Sequence, residues 1–306
     1  MAIAFVFPGQ GSQSVGMLGD LVETVPAIGE TFAEASEALG LDLWDIVQNN
    51  PEDKLNQTEY TQPALLSASV ALWRAWRANS KEQVAFMAGH SLGEYSALTC
   101  SGVIDFADAV KLVRLRGQLM QQAVPGDVGA MAAILGLEDA QVIEICKDAS
   151  DDDSSVEAAN FNTPGQVVVA GHASAVDRAV ALASEKGAKK AMKLAVSVPS
   201  HCSLMKPAAE KLENALAGIT FSSPNIPVVN NVDVRCESDV DAIRAALVRQ
   251  LYCPVRWAES VQWLLTQDVE SYVECGPGKV LAGLIKRINR RSPVVNVASY
   301  DGFITD

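Results

Sequence analysis

The chain has 306 residues with 49% hydrophobic and 20% charged side chains, the balance of a globular enzyme with a sizeable core rather than of a disordered or fibrous chain. Lys and Arg number 24 against 37 Asp and Glu, a formal charge of −13, which argues against nucleic acid as a partner. No stretch of about 18 apolar residues points to a membrane span. The six cysteines are scattered without a C-x-x-C pair, so free thiols in a cytoplasmic protein are expected, and no metal-ligand spacing appears.

In chain order, Ala2–Phe7 is an apolar run closed by Pro8-Gly9, the pattern of a buried strand and loop. The start lacks the basic residues and cleavage site of a signal peptide. The loop Pro8-Gly9-Gln10-Gly11-Ser12-Gln13 lacks the third small residue and the downstream acid of a dinucleotide fingerprint. Its glycines instead allow the Gln10 backbone to approach a reaction centre, where its N–H is available as an oxyanion donor; a plain tight turn also fits. Helical patterns follow, including Gln62–Ala75. Val84–Ala88 predicts a second strand, and Leu92–Cys100 and Phe106–Met120 predict helices, so the first part of the chain points to a mostly parallel α/β sheet.

The middle of the chain changes character. Gly129–Gly136 predicts a strand, Asp139–Lys147 a helix, Val156–Asn160 and Gln166–Ala170 two strands around NTPG, Ala173–Glu185 a helix and Ala191–Val198 a strand. That βαββαβ order is ferredoxin-like. The α/β character then resumes with strand Ile226–Val229, helix Val240–Leu251, strand Glu270–Val273, helix Gly278–Ile288 and strand Val294–Val297. The expected division is a large α/β domain of residues 1–124 and 199–306 carrying a small domain of residues 125–198.

Gly89-His90-Ser91-Leu92-Gly93 joins the second strand to a helix, the context of a nucleophile elbow. The turn would expose the Ser91 hydroxyl and leave the Leu92 N–H facing a developing oxyanion. A serine nucleophile needs a base, and the chain has three histidines. His90 is expected to point away from Ser91, because neighbours on an extended strand face opposite sides. His172 precedes a helix, where capping would explain it. His201, in VPSH at the exit from the insertion, is the preferred base, although spacing alone leaves His172 open.

No Asp or Glu stands out as the orienting acid of a triad. In a continuing helix the N–H of residue 254 would bond the carbonyl of residue 250, and Pro254 has none. The Gln250 carbonyl is therefore free to hold the histidine, though a proline-terminated helix would leave the same mark. On the Phe106–Met120 helix, Leu112, Val113, Leu119 and Met120 surround Arg116, which interrupts the apolar face. A local acidic partner or a snorkelling side chain would explain it; a site for a substrate carboxylate, gripped bidentately, would explain it as well.

Taken together, FVFPGQGSQ, TQPAL, GHSLGEYSAL, the Arg116 helix, NFNTPGQ, VPSH and VECGPGKVL resemble, in order and over essentially the whole chain, the malonyl-CoA:acyl carrier protein transacylases of bacterial fatty-acid synthesis. The resemblance implies an α/β hydrolase-like large domain with a ferredoxin-like small domain. It implies ping-pong transfer of malonyl from malonyl-CoA through malonyl-Ser91 to the phosphopantetheine thiol of acyl carrier protein, with no permanently bound cofactor and no metal. Ser91, His201 and Gln250 would be catalytic, Gln10 and Leu92 would form the oxyanion hole, and Arg116 would bind the malonyl carboxylate. Gln62, Asn160 and Gln166 would line the pocket. Lys189, Lys190 and Lys193, or Lys286, Arg287, Arg290 and Arg291, are candidate carrier-docking charges that also read as solvated faces. A serine thioesterase and a non-catalytic carrier-binding scaffold are the competing readings.

Overall fold

The computed structural model describes residues 2–126, 128–196 and 198–297. β1 (Ala2–Phe7) is followed by α1 (Pro26–Leu39), α2 (Leu43–Asn49) and α3 (Thr58–Asn79). β2 (Val84–Gly89) leads into α4 (Leu92–Cys100) and α5 (Phe106–Ala123). The middle segment comprises β3 (Gly129–Leu135), α6 (Asp139–Ala149), β4 (Val156–Thr163), β5 (Gln166–His172), α7 (Ala173–Glu185) and β6 (Lys190–Lys193). α8 (Lys206–Ala217), β7 (Val228–Val229), α9 (Val240–Gln250), α10 (Trp257–Thr266), β8 (Val269–Glu274), α11 (Val280–Ile288) and β9 (Val294–Asn296) complete it.

The strands form two sheets. The larger has the order β7-β2-β1-β8-β9 and is parallel throughout. Its central strand is apolar at every position because both faces are covered. Ile3, Phe5 and Phe7 enter the core built with the α3, α4 and α5 side, while Ala4 and Val6 enter a second core with Trp257, Leu264 and Leu281 of α10 and α11. The smaller sheet, β4-β5-β3-β6, is antiparallel, as the βαββαβ order requires. One face packs on α6 and α7 through Ile134, Val142, Val167 and Val176. Its other face presents Met131 and Val168, which line the cleft described below. The mixed α/β fold class expected from the sequence is thus the one observed. No helix among the described residues is long and apolar enough to cross a membrane.

β3 and β9 each end one residue before the expected Gly136 and Val297, and two other expected strands are shorter by more. The strand expected at Ala191–Val198 ends at Lys193, and its Ser197 lies outside the described residues. Its apolar residues Leu194, Ala195, Val196 and Val198 line the cleft rather than extend the sheet. The strand expected at Ile226–Val229 shrinks to Val228–Val229. Pro227 has no N–H for the ladder, and Ile226 is engaged through both its N–H and its carbonyl by the Ser101 hydroxyl, at 3.0 and 2.6 Å. Residues 1, 127, 197 and 298–306 of the expected domain spans lie outside the described residues.

Candidate active site

In an open parallel sheet, ligands sit beyond the carboxyl ends of the strands. Here the loops after β1 and β2 converge on a cavity of about 320 Å³. Ser91 sits between β2 and α4 with φ 52° and ψ −107°, a backbone that a residue with a side chain adopts only when the surroundings enforce it. The flanking glycines supply the enforcement. A Cβ on Gly89 would overlap the Gly93 backbone, and one on Gly93 would overlap the Phe7 carbonyl at the end of β1. Neither position has room for a side chain, and the elbow is pressed against the Pro8–Gln10 loop. Asn231 pins it from the other side, accepting from Ser91 N–H at 2.8 Å and donating to the Gly89 carbonyl at 2.6 Å.

His201 is the histidine that the fold brings to Ser91. Its Nε2 lies 2.8 Å from Ser91 Oγ and its Nδ1 2.7 Å from the Gln250 carbonyl oxygen. A carbonyl only accepts, so Nδ1 carries the proton and Nε2 presents its lone pair to the serine hydroxyl. Gln250 ends α9, and the following N–H groups of Tyr252 and Cys253 both turn back to the Arg249 carbonyl, at 3.1 and 2.8 Å. The Gln250 carbonyl is left to His201, as the proline at 254 suggested. Burial, reinforced by the Arg116 charge, pushes the His201 imidazole down to about 3 from its ordinary 6.5, so it is neutral near pH 7. His172, the alternative, is the N-cap residue of α7 but its side chain makes no capping bond; its Nδ1 accepts from the Ser155 N–H at 3.0 Å, away from Ser91.

Arg116 is 1% exposed. Its Nη1 donates to Gln62 Oε1 at 2.8 Å, and its Nη2 donates to Gln250 Oε1 at 3.1 Å and to Ser91 Oγ at 3.2 Å. All three acceptors are neutral oxygens, so the guanidinium reaches the serine without a directly bonded carboxylate of its own. It neither snorkels nor takes a local acid. Gln10, whose side chain reaches Thr58 Oγ1 at 3.5 Å, and Leu92, the first residue of α4, border the same cavity. A first helical residue has no intrahelical acceptor for its N–H. Asn160 and Gln166 line the cavity from the small sheet, and Gln166 Oε1 accepts from Arg287 of α11 at 2.8 Å. Of the candidate docking charges, Arg287 is therefore engaged at the cleft and Lys193 pairs with Asp177 at 2.8 Å.

Some site residues escape the sequence reading. His90 lines the same cavity as Ser91, and its Nε2 lies 2.8 Å from Asn162 Oδ1. Its ring meets Asn162 and Trp257 rather than the Ser91 hydroxyl, which bonds His201 instead. An acid is also present: Glu94, 2% exposed, accepts through Oε2 from Asn231 N–H at 2.9 Å and from Gln250 Nε2 at 2.8 Å. It holds the Gln250 side chain rather than His201. Its position in the first turn of α4 resembles an ordinary helix-start acid, and nothing in the sequence marks it as buried.

The family model for the acyl transferase domain matches residues 4–300. The chain belongs to the acyl transferase family. Among curated acyl transferases of this kind, the malonyl CoA-acyl carrier protein transacylase of Escherichia coli K12 is 61% identical over 285 residues, 93% of this chain and 92% of its own. That of Staphylococcus aureus MRSA252 is 45% identical, covering 97% of this chain and 96% of its own. Among solved acyl transferase structures, a malonyl-transacylase in complex with a type II PKS acyl-carrier protein superposes with a TM-score of 0.97 at 54% identity, over 100% of this chain and 98% of that one.

Proposed function

We infer that the protein transfers the malonyl group of malonyl-CoA to the phosphopantetheine thiol of acyl carrier protein through malonyl-Ser91. The observation that carries the reading is the pairing of two features at one hydroxyl: a neutral His201 at 2.8 Å to take its proton, and a buried guanidinium at 3.2 Å to hold a carboxylate. The names of the relatives point the same way. Ser91, His201 and Gln250 form the catalytic set in this reading, with Gln10 and Leu92 as oxyanion donors and Gln62, Asn160 and Gln166 around the acyl and pantetheine chains.

In the first half-reaction, Ser91 Oγ attacks the thioester carbonyl as His201 Nε2 takes its proton. The Gln10 and Leu92 N–H groups meet the developing oxyanion, each contributing roughly 3 kcal/mol in the transition state. The intermediate collapses to malonyl-Ser91, and the departing CoA thiolate takes the proton from His201. In the second, the carrier thiol gives its proton to His201 and attacks the ester, and Ser91 Oγ leaves and is reprotonated. Serine, imidazole and backbone donors supply nucleophile, base and electrostatics, so the proposed reaction calls on no metal or bound cofactor. The same reading includes a cytoplasmic location and the division into a catalytic domain of residues 1–124 and 199–306 and a small domain of residues 125–198.

Incubation with labelled malonyl-CoA, with and without carrier protein, tests it. Label is expected on Ser91 alone when carrier is absent and on the carrier thiol when it is present. Free malonate as the main product in the presence of carrier protein would make the enzyme a thioesterase instead.

A further inference from the structure

Glu94 stands three residues after the nucleophile, is buried, and touches neither Ser91 Oγ nor His201 by any hydrogen bond described above. Its contacts form a directed chain. Ionised, a carboxylate only accepts, and a guanidinium only donates. The Gln250 amide stands between them, giving Nε2–H to Glu94 Oε2 at 2.8 Å and taking Arg116 Nη2–H on Oε1 at 3.1 Å. The amide fits in that orientation alone, and its Nε2 is fixed a second time by the Ser91 carbonyl at 3.0 Å. A buried anion and a buried cation are thus held one amide apart.

We propose that Glu94 is a positioning residue that balances the Arg116 charge through the Gln250 side chain and so leaves the guanidinium free to take an acyl carboxylate. A buried guanidinium with no counter-charge is costly, whereas one in a direct bidentate ion pair has its fork already occupied. Placing the carboxylate behind an amide avoids both: the cation is tolerated in the core, and its front edge still faces Ser91. Burial raises the Glu94 carboxyl to about 7 while Arg116 opposes that rise, consistent with a charge pair felt across the amide. The other charged or titratable groups near Glu94 are Tyr95 on α4, Asp233, which is paired with Arg249 at 2.6 Å, and Glu237, which shares a small cavity with Glu94 and is paired with Arg235.

The proposal rests on the reading of Arg116 as the carboxylate site, and the test separates the two. Binding of malonyl-CoA and acetyl-CoA is measured by calorimetry in a Ser91→Ala background, alone and with Glu94→Gln or Arg116→Ala. Glutamine keeps an oxygen where Oε2 accepts both N–H groups, removes the charge and puts an NH2 in place of Oε1. Glu94→Gln is expected to tighten malonyl-CoA on the order of tenfold, the size of a nearby-charge effect, and to leave acetyl-CoA unchanged. Equal shifts for both ligands, or none, overturn the proposal. Should the variant fail to fold, the Ser91→Ala protein itself decides. Its preference for malonyl over acetyl is expected to be larger at pH 6, where Glu94 is mostly neutral, than at pH 8, and a flat preference overturns the proposal. A malonyl preference that survives Arg116→Ala means the Arg116 reading has failed; one lost in Arg116→Ala but untouched by Glu94→Gln means that only the role of Glu94 has.

Discussion

His201 differs from an ordinary surface histidine in one respect that can be measured directly. With its imidazole pushed down to about 3, it stays neutral far below pH 6.5. The pre-steady-state rate of Ser91 acylation is therefore expected to show no acid limb at 6.5 between pH 8 and pH 5, and a midpoint near 6.5 would contradict the assignment. The same shift has a cost to stability. The unfolded chain binds a proton on this histidine below 6.5 and the folded chain does not until about 3, so this contribution is lost as pH falls through that window. Arg116 is tested by discrimination between acyl groups. Charge-assisted hydrogen bonds contribute about 1.5–3 kcal/mol, so Arg116→Ala should slow acylation by malonyl-CoA roughly ten- to a hundredfold more than by acetyl-CoA. Equal losses would remove Arg116 from carboxylate binding. At this scale the sequence announced Ser91, Arg116 and His201 because each broke a local pattern: a glycine-flanked turn, a charge on an apolar face, a histidine at a subdomain exit. Glu94, Asn231 and Asn162 break none. Their burial arises from segments far apart in the chain, with Asn231 meeting Ser91 across 140 positions.

Among the elements, α4 was legible to the residue, since Leu92–Cys100 is both the expected and the observed helix, and β2 runs one residue past the expected Val84–Ala88. The glycines of the elbow between them allow close backbone approach, Gly93 to the end of β1 at Phe7 and Gly89 to the Gly93 backbone. Gly93→Ala should therefore lower stability by about 3 kcal/mol, the upper range for overpacking, and Tm by about 5 °C. An unchanged melting temperature would mean that the backbones can separate and that the elbow is not held by β1. The element endings were harder to read. Apolar residues after Lys193 have the composition of a strand, and only the cleft explains why they leave the sheet. The ladder at Val228–Val229 is cut short by a proline whose carbonyl still accepts from Met87 at 2.8 Å.

For the whole molecule, the two sheets have separate cores, joined where Phe161 N–H of β4 donates to the Val255 carbonyl of the α9–α10 connection and Val255 N–H donates to the Ala159 carbonyl, both at 2.9 Å. Truncating the small core alone should loosen it alone. Ile145→Ala, at a fully buried position on α6, is expected to cost about 2–5 kcal/mol. Hydrogen exchange should speed up in residues 129–193 and stay slow in β1, β2 and β8; uniform acceleration would mean that the two sheets unfold as one unit. The parallel sheet also constrains how the protein is made. β1 holds residues 2–7, yet one of its two neighbours is β8, residues 269–274. β1, synthesised long before β8, must wait for it before its second edge is paired, whereas every strand of the small sheet lies within residues 129–193. Long-range pairing of this kind is slow to form and exposes an unpaired apolar edge meanwhile. The nascent chain therefore carries its finished small sheet while the Ser91 elbow, which leans on β1, is still assembling.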